Sequence, residues 1–191
     1  MSERKASVTR TTERGEVKVV LNLDGKGGGT VQTGFPFLDQ MLTLFARQAA
    51  FDLEIRCKGS ESDPLESVVD VALCLGLALD NALGEREGTR RNGQSYAPVN
   101  EHLARAVVDI SGPPCLVYHV RASVPHLSGA DAGVIERFWR NFVAQARLNL
   151  HIELLYGDGL PAFEAIFKAV ARALSHACRV RPYALTASGD L

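Results

Sequence analysis

Phe45-Ala-Arg-Gln-Ala-Ala-Phe-Asp-Leu-Glu-Ile55 and Phe142-Val-Ala-Gln-Ala-Arg-Leu-Asn-Leu-His-Ile152 are one segment written twice, 97 residues apart. Phe45/Phe142, Gln48/Gln145, Ala49/Ala146, Leu53/Leu150 and Ile55/Ile152 are identical pairs. Each copy changes period partway, from helical spacing to strict alternation, so a helix feeds a strand in both. Downstream, Val68 to Leu79 aligns with Phe163 to Leu174 at an offset of 95, and upstream Asp24-Gly25 answers Ser111-Gly112. A repeat found this way governs the whole architecture.

Working outward, Val17, Val19, Leu21 and Leu23 alternate as in a half-buried strand. Lys26-Gly-Gly-Gly29 reads as a hairpin turn into a short strand, Thr30 to Thr33. It is not a phosphate loop, because no helix and no Lys-Ser/Thr pair follow. Leu38, Met41, Leu42, Phe45 and Ala49 make a helical stripe, and Phe51, Leu53, Ile55 and Cys57 alternate. A second stripe through Val68, Val71, Ala72, Leu75, Leu79 and Ala82 ends at Gly84, a suitable C-cap. The second half predicts strands near Ala106–Ile110 and Cys115–Val120, then a helix through Ile135, Phe138, Phe142 and Ala146. A strand through Leu148 to Leu154 and a helix through Phe163 to Leu174 complete it. The fold class is α+β, with internally duplicated ββαβα units. Four helices pack between two mostly antiparallel four-stranded sheets. We expect a single domain over residues 1–191, made of repeats at about 8–94 and about 95–191.

The chain has 191 residues, 46% hydrophobic and 23% charged, as in an ordinary globule. Twenty-one basic against twenty-two acidic residues leave a net charge of −1, which argues against nucleic-acid partners. No apolar run reaches the ~20 residues of a membrane span, and Met1–Arg10 lacks the apolar stretch of a secretory signal. Cys57, Cys74, Cys115 and Cys178 form no paired motif and are expected reduced and packed, in a cytoplasmic protein.

Arg10-Thr-Thr12, Leu21-Asn-Leu-Asp-Gly25 and Thr33-Gly-Phe-Pro-Phe-Leu-Asp-Gln-Met-Leu42 are one set of recognisable motifs. Ala46-Arg-Gln48, Val108-Asp-Ile-Ser-Gly112, Leu150-His151, Tyr156-Gly157 and Glu164-Ala-Ile-Phe-Lys-Ala169 are another. Together, in this order, they resemble the imidazoleglycerol-phosphate dehydratase family over about Arg10 to Leu191. The resemblance implies the duplicated fold and a lyase activity in histidine biosynthesis. It also implies a pair of manganese ions held by histidines and carboxylates. Trimers that build a 24-subunit cage, with the metals at subunit interfaces, are implied too.

The chain departs from the family at the ligand positions. The Asp-His-Met motif reads Asp39-Gln40-Met41, and Arg-His-Gly reads Arg47-Gln48-Ala49. The first His-His-x-x-Glu motif reads Leu65-Glu66-Ser67-Val68-Val69, and the second Leu160-Pro161-Ala162-Phe163-Glu164. His151 and Glu164 alone keep the family's residue. The whole chain holds only five histidines, and Leu, Val and Pro offer no side-chain donor. Of the residues the family uses for phosphate, Arg91 and Lys168 match. Pro113 and Ser188 stand where the family has Arg and Lys, and Arg14 replaces a glutamate.

Local readings stand beside these. His151 alternates in phase opposite to Leu150 and Ile152, as a structural residue or a remnant ligand. Glu164 and Lys168 are spaced for an ordinary i,i+4 ion pair, or Lys168 serves an anion site. Arg86, Arg90 and Arg91 form a basic cluster, either a solvated loop or a phosphate or carboxylate pocket. Glu66, Asp158 and Glu164 could gather around a hard cation such as Mg²⁺ or Ca²⁺, although nothing in their spacing demands it. His102, His119, His126 and His176 form no motif. The resulting expectation is a dehydratase-like protein without its di-manganese site, a non-catalytic binding or assembly subunit needing no cofactor. An active dehydratase, or a metal-poor lyase on a related phosphate using His151 and Glu164, is the alternative. A homo-oligomer, trimer or larger, is expected, or a mixed oligomer with an intact paralogue.

Overall fold

Burial alternates along Gly15–Asn22, with Val17, Val19 and Leu21 inward and Lys18 outward, so this segment is a strand with one wet face. The structure, a computed structural model, describes residues 4–13, 15–58, 64–122 and 133–181, excepting the side chains of 64–66. The first half runs β1 (Lys5–Thr12), β2 (Gly15–Asn22), β3 (Val31–Gln32), α1 (Pro36–Ala49), β4 (Asp52–Lys58) and α2 (Pro64–Leu83). The second repeats that order as β5 (Asn92–Val99), β6 (His102–Asp109), β7 (Cys115–His119), α3 (Gly133–Ala146), β8 (Asn149–Tyr156) and α4 (Gly159–Cys178). The sheets have matching orders, β1-β2-β4-β3 and β5-β6-β8-β7. The pairs β1/β2, β2/β4, β5/β6 and β6/β8 are antiparallel, whereas β3/β4 and β7/β8 are parallel.

Helix α2 lies on β1 and β2, α4 lies on β5 and β6, and the helices meet as α2 on α3 and α1 on α4. One buried cluster runs through both halves, from Val19 and Leu38 to Phe138, Trp139 and Phe167. Glycine sets two of the closest approaches. A Cβ at Gly76 would stand 2.4 Å from the Phe142 carbonyl oxygen, and one at Gly93 only 1.9 Å from that of Ala173. The duplication reaches the backbone: Ala50 after α1 and Arg147 after α3, 97 residues apart, both turn left-handed at φ 59° and 51°.

Two expectations need correction. The two four-stranded sheets are as expected, but the ββαβα unit names only three of the four strands in each half and lacks β1 and β5. Both are edge strands whose Ser, Thr, Arg and Gln residues bury little, and the apolar alternation that would mark them is missing. Lys26–Gly29 is also no hairpin turn, since β3 runs parallel to β4 and does not pair with β2. The segment instead lies along β4. Leu53 N–H donates to Gly28 O at 2.8 Å, and a Cβ at Gly29 would stand 2.0 Å from the Leu53 carbonyl oxygen. Asp52 anchors it by accepting from the N–H groups of Lys26 and Gly28 at 2.9 and 3.0 Å.

Candidate functional site

Helix α1 starts at Pro36, where the missing N–H costs nothing. Asp39 in its first turn accepts from Thr33 N–H at 2.7 Å. Inward-facing Leu38, Met41, Leu42 and Phe45 leave Gln40 on the exposed side. Gln48 lies half-buried in the last turn of the helix. Its Oε1 accepts from Arg172 Nε of α4 at 2.8 Å, and the Phe37 and Phe163 rings meet edge to face 6.0 Å apart.

Helix α4 begins at Gly159, capped by the Asp158 side chain on the Gly159 N–H. Leu160 is half exposed and Pro161 partly buried, both in the first turn. Glu164, Lys168 and Arg172 then follow at i, i+4 and i+8 along one edge of the helix. Lys168 Nζ lies 3.8 Å from Glu164, which matches the ordinary ion-pair reading. Sequence reasoning missed Arg172, although this spacing pointed to it. On α2, Leu65 and Glu66 are helical and Val69 is partly buried; the side chains of the first two lie outside the described residues. So do Arg14, His126 and Ser188.

The retained residues do not converge within the chain. His151 points from β8 to the outer face of its sheet, while Leu150 and Ile152 face the helices. There it lines an open groove of about 350 Å³ with Arg105, Val107, Val117, His119 and Glu153. Arg91 is exposed, and its N–H donates to Ala177 O near the end of α4. Lys168 sits nine residues earlier on that helix, roughly 14 Å along its axis. The cluster Arg86, Arg90 and Arg91 is divided as well. Arg86 turns inward to Asp80 and to the carbonyls of Ile110, Ala146 and Arg147.

The donor set does not fit a pair of manganese ions. Leu160, Pro161 and Val69 supply no donor atom, and Gln48 spends its carbonyl oxygen on a guanidinium that would repel a divalent cation. Of the three carboxylates, Asp158 caps α4 and Glu164 faces Lys168, while the side chain of Glu66 lies outside the described residues. Among the described residues, no three His, Cys, Asp or Glu side chains gather as metal ligands. Nor is there an activated thiol. Burial pushes Cys74 up to about 11 and Cys57 and Cys178 up to about 12, keeping them protonated. Cys115 is exposed, contrary to the expectation that all four pack. His102, given no role from sequence, is buried with its ring nitrogens each 3.0 Å from a carbonyl, those of Val99 and Asp158. Among the described residues no helix is long and apolar enough to cross a membrane.

Comparison with known proteins agrees with the motifs. The family described as imidazoleglycerol-phosphate dehydratase matches residues 33–174. The imidazoleglycerol-phosphate dehydratase of Salinibacter ruber is 46% identical over 184 residues, covering 94% of this chain and 90% of the relative. That of Acinetobacter baylyi is 41% identical over 186 residues, covering 96% and 92%. The crystal structure of the Staphylococcus aureus dehydratase superposes with a TM-score of 0.83 at 33% identity, covering 92% of this chain and 99% of that one. The Pyrococcus furiosus enzyme, in complex with (S)-C348, gives 0.80 at 26% identity, covering 96% and 100%.

Proposed function

The chain belongs to the imidazoleglycerol-phosphate dehydratase family, and from that premise we propose that it is a member without the di-manganese chemistry, kept as a binding or assembly subunit. The observation that carries this is the Gln48–Arg172 contact. A position where the family places an imidazole ligand holds an amide, and that amide is satisfied by a cation from α4. The losses fall in both repeats, at Leu65 and Val69 and at Leu160 and Pro161, so neither half supplies the complete motif. No step of the dehydration is assigned to this chain's own residues. As a subunit it would act through surfaces shared with its relatives, in a homo-oligomer of three or more or mixed with an intact paralogue, by mass action.

Kinship favours a second reading. Relatives at 46% and 41% identity over nearly the whole chain are named dehydratases, which supports an active hydro-lyase in histidine biosynthesis more directly than it supports a silent subunit. Two measurements separate the readings. The purified protein is loaded with excess Mn²⁺, desalted and analysed for metal, and turnover of imidazoleglycerol phosphate is followed. Neither retained manganese nor turnover is expected. Two ions per chain with turnover would sink the first reading and establish the second.

A further inference from the structure

A cavity of about 470 Å³ opens where the two halves meet, away from the groove around His151 and with neither Arg91 nor Lys168 in its wall. Its lining includes Leu23 and Asp24 after β2, Ala49 at the end of α1, and Ser175 and Cys178 on the last turn of α4. Three arginines reach it: Arg4, Arg90 and Arg179. Backbone pairing holds the last two side by side. Arg90 N–H donates to Arg179 O at 2.9 Å, Arg181 N–H to Gly88 O at 2.7 Å, and Thr89 bridges Val180.

The charges do not cancel. Arg4 is matched by Asp24, with Nε to Oδ2 at 2.9 Å, and also donates to the Cys178 carbonyl. The helix ends bring roughly half a negative charge each. Their last carbonyls are already engaged: Ala46 and Arg47 by Phe51 and Ala50, and His176 and Ala177 by Arg179 and Arg91. The exposed guanidiniums of Arg90 and Arg179 have no ion pair or side-chain hydrogen bond among the described residues. Two free cations against about one unit of helix-end charge leave a surplus of about one positive charge. Guanidinium forks match the oxygens of a phosphate, while Leu23, Ala49 and Val180 offer apolar wall beside them. The volume falls in the range of small-molecule sites, ~300–1,000 Å³.

We propose that this cavity binds a phosphomonoester with a partly apolar body, its phosphate held between Arg90 and Arg179. The site is independent of the manganese question, because none of its residues occupies a family ligand position.

The test titrates the full chain calorimetrically with inorganic phosphate and with phenyl phosphate. Phenyl phosphate should bind saturably, one per chain and more tightly than inorganic phosphate. The double variant Arg90→Ala/Arg179→Ala should weaken it about tenfold or more, as expected when charge-assisted hydrogen bonds are lost. A control, Lys18→Ala/Arg56→Ala, removes the same charge from two exposed residues paired across β2 and β4 and should leave binding unchanged. Absent saturable binding, or equal weakening in both double variants, would overturn the proposal. So would loss of binding in Arg91→Ala/Lys168→Ala with Arg90→Ala/Arg179→Ala unaffected, because the phosphate would then sit elsewhere.

Discussion

Arg86 is the sharpest place to perturb the junction between the repeats. Its guanidinium reaches Asp80 of α2, the Ile110 carbonyl after β6, and the Ala146 and Arg147 carbonyls at the end of α3, the last two at 2.9 Å. The ion-pair side chains are only 14% and 11% exposed, so the charges sit largely out of water. Replacing Arg86 by Gln strips Asp80 of one cation and three carbonyls of a charged donor. At about 1.5 kcal/mol for each charge-assisted bond the loss would approach 6 kcal/mol. Two effects reduce it: Arg147 still reaches Asp80 at 2.8 Å, and water can enter beside that exposed residue. We expect a loss of about 3–4 kcal/mol, in the range for breaking a buried pair. Urea unfolding at fixed protein concentration measures it, since any oligomer makes stability concentration-dependent. For a chain of this size, Tm should fall by roughly 6–15 °C. A loss below about 1 kcal/mol would refute the lock and make Arg86 an ordinary surface residue.

Two other outcomes follow from the same geometry. The N–H groups of Lys26 and Gly28 hold the Asp52 carboxyl below the usual carboxylate range, so its contribution is present above the unfolded-state pKa of about 3.9 and fades as pH falls through the folded value. Asp52→Asn should flatten that acid limb in pH-dependent unfolding; an unchanged limb would refute the anchor. With a thiol reagent at neutral pH, Cys115 should react fast, half-buried Cys57 more slowly, and buried Cys74 and Cys178 only on unfolding. Rapid reaction of Cys74 or Cys178 would contradict the burial.

Legibility followed how local each cause was. The stripes of α1 to α4 were readable because burial sorts their residues at helical spacing, and β2, β4, β6 and β8 because a half-wet sheet imposes alternation. The edge strands β1 and β5 carry polar residues on both sides, leaving no period to find. The parallel course of β3 depends on Asp52 binding a loop 24 to 26 positions upstream, which no window on the sequence contains. For the site, the missing donors were plain from residue type. That Gln48 is engaged by a residue 124 positions away was not. The arginine cluster divided for a similar reason: Arg86 is drawn inward by α3, whose end lies 60 residues on.

Helix α4 shows how packing and metal-ligand positions are separated on one element. Phe163, Ile166, Phe167, Val170 and Leu174 are at most 1% exposed and provide its share of the core. Leu160 and Pro161 occupy its first turn, and Glu164, Lys168 and Arg172 its polar edge, so family ligand positions lie outside the stripe that stabilises the fold. Exchanging imidazole for Leu or Pro there costs little burial, and Pro is well tolerated in a first turn. A helix can therefore lose its donors while its packing, and with it a TM-score of 0.83, is retained. Fold similarity follows the buried stripe and metal binding follows the edge. The decisive weight thus falls on whether Gln48, fastened to Arg172, leaves any opening for a metal ion.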